Sequence, residues 1–269
     1  AAMSTEGEKV STYTVGFSAD DLAHEIVPDD VKFSRQVAEE FNTDYHEETL
    51  SPAIVDLLPK LIWHMDEPIA DPACISTYLI CSAAREKMTV MLSGMGGDEI
   101  FAGYPRHLAA RIGHWSDILP KSVRKAIREF SEGRLTVGKP GRMRGPRRNL
   151  MKLLRGIDAE PLERYLTYCS YYRPEELEKL MPGLGEQGHP DSLDRHRSYA
   201  DRVSGEHWLN RILYTDMKTF LPCLNLAYTD KMSMAASTEV RVPLLDDEMV
   251  ELAASIPPSL KLRRTTRKY

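Results

Sequence analysis

The run Val90-Met91-Leu92-Ser93-Gly94-Met95-Gly96-Gly97-Asp98-Glu99-Ile100-Phe101 constrains this chain more than any other. Three apolar residues end in a small one, glycines frame a methionine, and two carboxylates precede an apolar pair. This pattern predicts a buried strand that stops at a tight loop, with a helix starting behind it. Glycines let a ligand approach the backbone where a Cβ would block it. Asp98 and Glu99 sit where a hard cation would take oxygen ligands or a helix N-terminus would take negative charge. In an open α/β sheet, ligands bind at the carboxyl ends of the strands. Two readings stay open from this run alone: a nucleotide or Mg2+ corner, or a structural glycine-rich turn with a solvated acidic cap.

The neighbouring pattern favours an α/β layer. Ser11–Phe17 and Thr43–Leu50 read as strands, as does Met88–Leu92. Between them, Pro28-Asp29-Asp30 opens a helix with Val31, Val37, Ala38 and Phe41 on one face. Ile54, Leu57, Leu58, Leu61, Ile62 and Met65 recur at helical spacing, and a third helix spans about Ile75 to Glu86. Strands separated by helices, without short hairpins, pair in parallel through crossovers and imply a Rossmann-like α/β fold. Beyond Tyr104 the periodicity is helical, over Leu150–Leu154, Pro161–Tyr171, Glu175–Met181, Trp208–Phe220 and Met249–Ala254. The expected organisation is a sheet half over residues 1–110 and a helical half over 111–269. The basic run 121–155, broken by Gly133, Gly138, Pro140, Gly141, Gly145 and Pro146, predicts a solvated mobile loop, with a phosphate or RNA contact as the alternative.

Bulk properties narrow the function classes. A net charge of −5 gives no global pull towards nucleic acid or anionic membrane. No stretch approaches the ~20 apolar residues of a bilayer span. Four cysteines without CxxC spacing fit buried thiols in a reducing cytoplasm rather than a disulfide framework. Both ends read as cuts through elements, and Lys261 to Lys268 as a cationic approach to a helix.

Two further segments join the glycine run: Trp63-His64-Met65-Asp66-Glu67-Pro68-Ile69-Ala70-Asp71-Pro72 followed by Thr77-Tyr78-Leu79, and Tyr228-Thr229-Asp230-Lys231-Met232-Ser233-Met234-Ala235 continuing through Glu239 to Asp246. Together and in this order, from about Val10 to Tyr269, they resemble the synthetase domain of glutamine-dependent asparagine synthetases and close relatives such as the β-lactam synthetases. The resemblance implies a Rossmann-like parallel sheet of the ATP pyrophosphatase (adenine nucleotide alpha hydrolase-like) type with a helical second half. It implies ATP and Mg2+, with Val15 meeting adenine through its backbone, Ser93 and Gly94 at the nucleoside, Asp98 as Mg2+ ligand and Lys268 as the reactive-centre lysine. The implied activity joins a carboxylate, aspartate in most of the family, to the α-phosphate of ATP. Ammonia from a glutaminase domain of the same full-length chain then displaces AMP. A homodimer is compatible with this reading.

Three departures qualify it. The family's pyrophosphate loop, Ser-Gly-Gly-x-Asp-Ser, is absent, so the chain alone is expected to be inactive. No glutaminase domain is present, since the chain starts with Ala1. Met95 stands where asparagine synthetases commonly carry Glu, and a thioether can serve as neither acid nor base. Another carboxylate, as in a β-lactam-forming or sugar-modifying enzyme, is therefore an alternative substrate, and a non-catalytic scaffold is an alternative role. Of the other matched residues, Asp66, Glu67 and Asp71 precede prolines and fit turns. Asp230, Lys231, Glu239 and Arg241 suit a charge network. His64, His107 and His114 read as structural, and Met232 and Met234 as core.

Overall fold

The computed structural model describes residues 9–16, 30–49, 52–69, 71–134, 144–170, 172, 174–183 and 193–268. They form a mixed α/β, helix-rich structure that divides into two compact units, Ala1–Ser93 with Cys223–Pro243 and Gly94–Pro222 with Leu244–Tyr269.

In the first unit, β1 (Ser11–Gly16) leads through α1 (Asp30–Phe41) to β2 (Asp44–Thr49). The strands pair in parallel, with Val15 opposite Glu48, as a crossover through a helix allows and a tight turn does not. Phe17, Pro28, Asp29 and Leu50 lie outside the described residues. The helix predicted from Ile54 begins as a 3-10 turn, Pro52–Leu57, and becomes α2 only at Leu58–Met65. Pro59 has no N–H to give to an i−4 carbonyl, so an α-helix can start at it but not run through it. Leu61 and Met65 are buried, whereas Ile62 on the same predicted stripe is exposed. Asp66 ends α2 in the left-handed region at φ 59°, and Asp71 Oδ1 accepts the Ala73 N–H at 2.9 Å at the start of α3 (Ala73–Ala84). Asp66 through its backbone and Asp71 through its carboxylate thus do the turn work their prolines imply. α3 buries Cys74 and Cys81, and burial pushes the Cys81 thiol up to about 11. Cys169 and Cys223 are exposed instead.

The strand of the glycine run, β3 (Val90–Leu92), is not buried as its composition predicts: Val90 is 39% exposed and Leu92 73%. Period two places both on one face, and that face is open to solvent among the described residues.

The second unit starts with one helical turn, α4 (Gly97–Ile100), then α5 (Pro105–Ser116), α6 (Lys121–Arg134), α7 (Arg144–Arg155), α8 (Pro161–Cys169), α9 (Pro174–Leu180), α10 (Asp194–Arg202) and α11 (Trp208–Lys218). The basic run is therefore two helices, α6 and α7, rather than the loop its glycines and prolines predict; residues 135–143 between them lie outside the described residues. Two of its arginines are tied down by carboxylates at its borders. Arg124 Nη1 donates to Asp117 Oδ1 and to the Ile157 carbonyl, each at 3.0 Å, and Arg128 Nε donates to Asp158 Oδ1 at 2.9 Å. Arg164, buried on α8, also pairs with Asp117. α11 faces two apolar clusters, with Leu209 and Leu213 beside Ala102 and Leu262, and Ile212 beside Ala110, Tyr165 and Leu166.

A π-helical turn, Leu221–Leu226, precedes α12 (Ala227–Ala235) and β4 (Glu239–Arg241), which rejoin the first unit. β4 lies parallel to β3, Val90 opposite Glu239, so the described strands of this unit form two separate two-stranded parallel sheets. Met232 is buried but Met234 is 60% exposed, because residues two apart point to different sides of a helix. Among the described residues the charged side chains here form two pairs rather than one network: Lys231 donates to the Met65 carbonyl, with Glu67 at 3.9 Å, and Arg241 pairs with Glu239 at 2.6 Å. The second unit closes with α13 (Asp247–Ser255), α14 (Pro258–Lys261) and an antiparallel hairpin of β5 (Leu262–Arg263) and β6 (Thr266–Arg267). The segment expected as a cationic approach to a helix is, over Leu262–Arg267, this hairpin. Arg264 turns it at φ 50°, and the β-branched Thr266 suits its returning strand.

Candidate functional site

Val15 and Ser93 belong to the first unit, but to different sheets: Val15 lies in β1, while Ser93 follows β3 and donates its N–H to the Arg241 carbonyl at 2.9 Å. Gly94, Asp98 and Lys268 belong to the second unit. There the structure brings Asp98 and Lys268 together.

The loop from Gly94 to Tyr104 is built for close approach. Gly96 adopts φ 88°, and a Cβ on it would lie 2.5 Å from Leu245 Cγ. Only glycine offers both that conformation and that space. The chain then makes the single turn of α4 and reverses at Ala102, a buried alanine held at φ 57°. Gly103 donates its N–H to the Asp98 carbonyl at 2.9 Å and accepts from Arg267 Nη1 at 2.6 Å. A Cβ on Gly103 would lie 2.7 Å from Asp98 Cγ and closer still to Asp98 Oδ1 and Lys268 Cε. Into this space Lys268 extends, its Nζ 2.7 Å from Asp98 Oδ1. The two side chains are 36% (Asp98) and 52% (Lys268) exposed, so both remain open to a solute. The hairpin that delivers Lys268 is anchored by Leu262, buried beside Ala102, Leu209 and Leu213, and by Arg111, which donates to the Leu262 carbonyl.

Behind this loop lies a buried polar cluster absent from the sequence-derived candidates. Asp216 accepts from Arg106 Nη2 at 2.9 Å, from His107 Nε2 at 3.0 Å and from the Tyr165 hydroxyl at 2.6 Å. Because a carboxylate only accepts, His107 Nε2 is assigned the hydrogen. Burial alone would raise the Asp216 carboxyl, but His107, Arg106 and Tyr165 outweigh it and hold it below its ordinary value. The same burial drives the Tyr165 hydroxyl well up. The Arg106 guanidinium packs against the rings of Tyr104 at 3.9 Å and Phe220 at 4.1 Å, in the corner where the two rings meet edge to face. Tyr104 in turn donates to Glu99 Oε1 at 2.8 Å, so the cluster braces the turn that carries Asp98. Its members lie up to 110 residues apart, and no spacing rule joins them. His107 is structural, as expected.

An ammonium and a carboxylate side by side can serve a polyanion and its counter-cation together. Among the described residues, no three His, Cys, Asp or Glu side chains group as a metal site. Asp98 fits Mg2+ nevertheless, because Mg2+ is commonly held by one or two carboxylates plus substrate phosphates and water. Lys268 engages Oδ1, and one carboxylate oxygen remains for it.

A family model described as asparagine synthase matches residues 1–269. A protein of Mycobacterium tuberculosis, provisionally named a glutamine-hydrolysing asparagine synthetase, is 32% identical over 80% of the chain and 31% of its own length. Glutamine-hydrolysing asparagine synthetase 1 of Bacillus subtilis is 29% identical over 97% of the chain and 38% of its own. An amidase of Penicillium rubens is 24% identical over 93% of the chain and 38% of its own. The chain spans about a third of the length of the curated relatives it matches.

Proposed function

Since the chain belongs to the asparagine synthase family, we propose that it is the synthetase part of an ATP-dependent amide ligase, with a nucleotide-binding layer of the Rossmann-like ATP pyrophosphatase type. Residues 1–110 carry most of the nucleotide recognition and residues 111–269 the helical remainder. Val15 offers its backbone to adenine, and Ser93 and Gly94 meet the nucleoside. Asp98 holds Mg2+, which when bound offsets charge on the departing pyrophosphate. Lys268 neutralises charge that builds on the α-phosphate as a carboxylate attacks it. Ammonia supplied by a glutaminase domain of the intact protein then displaces AMP. Water must stay out, or the activated acid is hydrolysed. The reaction belongs to the cytoplasm, and no described helix is long and apolar enough to cross a membrane.

The observation that carries this reading is the Asp98–Lys268 pair, 2.7 Å across a space that only a glycine at 103 leaves open. Two residues assigned separately to Mg2+ and phosphate share one spot, as a single charged substrate would need. Met95 favours a second reading on substrate: the acid is one other than aspartate, because the side chain has no proton to exchange. Pyrophosphate release by the intact protein, measured against a panel of carboxylic acids that includes aspartate, tests both. Release with aspartate alone supports the family's usual substrate, and release with another acid supports the second reading. No release with any acid refutes the ligase assignment and leaves a scaffold of the same fold.

A further inference from the structure

A cleft of about 490 Å3 opens in the second unit, away from the Asp98–Lys268 pair in its lining. One wall is the face of α11 formed by Asn210, Leu213, Tyr214, Met217 and Lys218, which recur at i, i+3, i+4, i+7 and i+8 as one side of a helix must. The facing wall is α13, through Val250, Ala253 and Ala254, whose small side chains leave the space unfilled. Ile100, Val203 and Lys261 complete it, with the exposed Glu206 at its rim.

Lys261 is the anomaly. The residue is only 5% exposed, and among the described residues its ammonium makes no ion pair or hydrogen bond. Burial lowers its affinity for a proton. Its backbone cannot move away, because it precedes Leu262, which is 1% exposed in the apolar cluster of this unit. A largely buried lysine whose ammonium has no partner is costly and returns nothing to the fold. A second polar atom is stranded on the opposite wall: Asn210 Oδ1 is buried with no hydrogen-bond partner among the described residues. The cleft therefore offers the ammonium of a largely buried lysine, one buried acceptor, the exposed charges of Glu206 and Lys218, and otherwise mainly apolar surface. Lys218 is partly spoken for, its Nζ lying 5.7 Å from the centre of the Tyr214 ring.

We propose that this cleft binds an amphipathic monocarboxylate, its carboxylate on Lys261, an N–H donor on Asn210 Oδ1 and its apolar body against Leu213, Met217 and Val250. A nucleotide does not suit it, because a triphosphate needs several converging cations and the cleft sets the carboxylate of Glu206 against the two lysines. The volume falls in the usual range for small-molecule sites, as does the mix of apolar walls with few polar groups.

Calorimetric titration of the intact protein without ATP tests this, with hexanoate, its 2-amino derivative norleucine, hexan-1-ol and hexylamine as probes. Omitting ATP keeps the result independent of the ligase reading. Hexanoate should bind about ten- to a hundredfold more tightly than the alcohol or the amine, the range expected for a hydrogen bond to a charged group. Norleucine should bind more tightly than hexanoate, and Asn210→Leu should remove that advantage. Lys261→Met keeps the length and shape of the side chain and removes the unpaired charge, so it should fold at least as stably while losing the preference for acid over alcohol. Equal binding of hexanoate and hexan-1-ol overturns the proposal. So does hexanoate affinity that survives Lys261→Met, and so does a failure of every probe to bind, as when another part of the intact protein fills the cleft.

Discussion

Gly103→Ala is the sharpest perturbation of the Asp98–Lys268 site. The φ of Gly103 lies outside the left-handed region, so alanine meets no backbone penalty and the whole cost is steric. The new methyl group would overlap Asp98 Oδ1 and Lys268 Cε, with Asp98 Cγ 2.7 Å away. Lys268 can swing its flexible end aside. Asp98 cannot do so without rotating its carboxylate away from the pair, because its backbone is fixed in α4 and bonded to Gly103 N–H. Losing an exposed ion pair costs about 0.2–1 kcal/mol, whereas overpacking costs about 1–3 kcal/mol. Steric strain therefore dominates, and the total should lie near 1–3 kcal/mol in urea unfolding of the intact protein, read from the midpoint at unchanged slope. Pyrophosphate release should fall at the same time to the level of an Asp98 variant. In an Asp98→Ala background the clashing oxygen is gone, and the same Gly103→Ala change should cost only about 0.5 kcal/mol or less. Wild-type stability and full release in Gly103→Ala would refute the geometry, as would an equal cost in both backgrounds.

Asp98→Asn keeps the shape but removes the charge, and should abolish most pyrophosphate release with little change in unfolding midpoint; equal losses of both would mark a purely structural turn. Lys268→Ala should raise the barrier by about 3–4 kcal/mol, seen in kcat more than in KM for ATP. Arg264→Ala, at the exposed tip of the same hairpin, should do little; equal slowing by the two ends the assignment. Asp216→Asn should destabilise the protein by about 3–5 kcal/mol, since it leaves the Arg106 charge buried without its partner. The folded-state Asp216 carboxyl is held below its ordinary value of 3.8. Its contribution is therefore complete above that value and is lost as pH falls through the folded one. Unfolding at a series of pH values should show that acid-side loss in the wild type and its absence in Asp216→Asn.

The sequence was most legible where local chemistry decides the outcome. Alternation in Ser11–Gly16, the prolines after Asp66 and before Ala73, and the glycines around Met95 each specify their own neighbourhood. β3 misled because an apolar, β-branched run reports strand propensity and not what lies over the strand. The basic run misled in the other direction. Gly133, Gly145 and Pro146 fall in the terminal turns of α6 and α7, where a helix tolerates them, while Asp117 and Asp158, beyond the run or at its border, neutralise Arg124 and Arg128. At the site, Asp98 and Lys268 could each be picked out by resemblance. That they touch depends on Gly103, which reads as an unremarked loop residue until the backbone is seen. The Asp216 cluster was illegible because its members share no periodicity or motif.

The pairing of β3 with β4 sets a schedule for making this protein. Val90 emerges from the ribosome roughly 150 residues ahead of Glu239, its partner in the ladder, which is about 7–30 s at ordinary rates of synthesis. Throughout that interval β3 is a strand without its mate, carrying Val90 and Leu92 on one face, and such an edge is a template for any other extended chain. The helical segment synthesised in between can gather its own clusters while the first unit waits. A nascent product that stops short of Arg241 has β3 and no β4, and so belongs to the population that chaperones must hold and proteases clear.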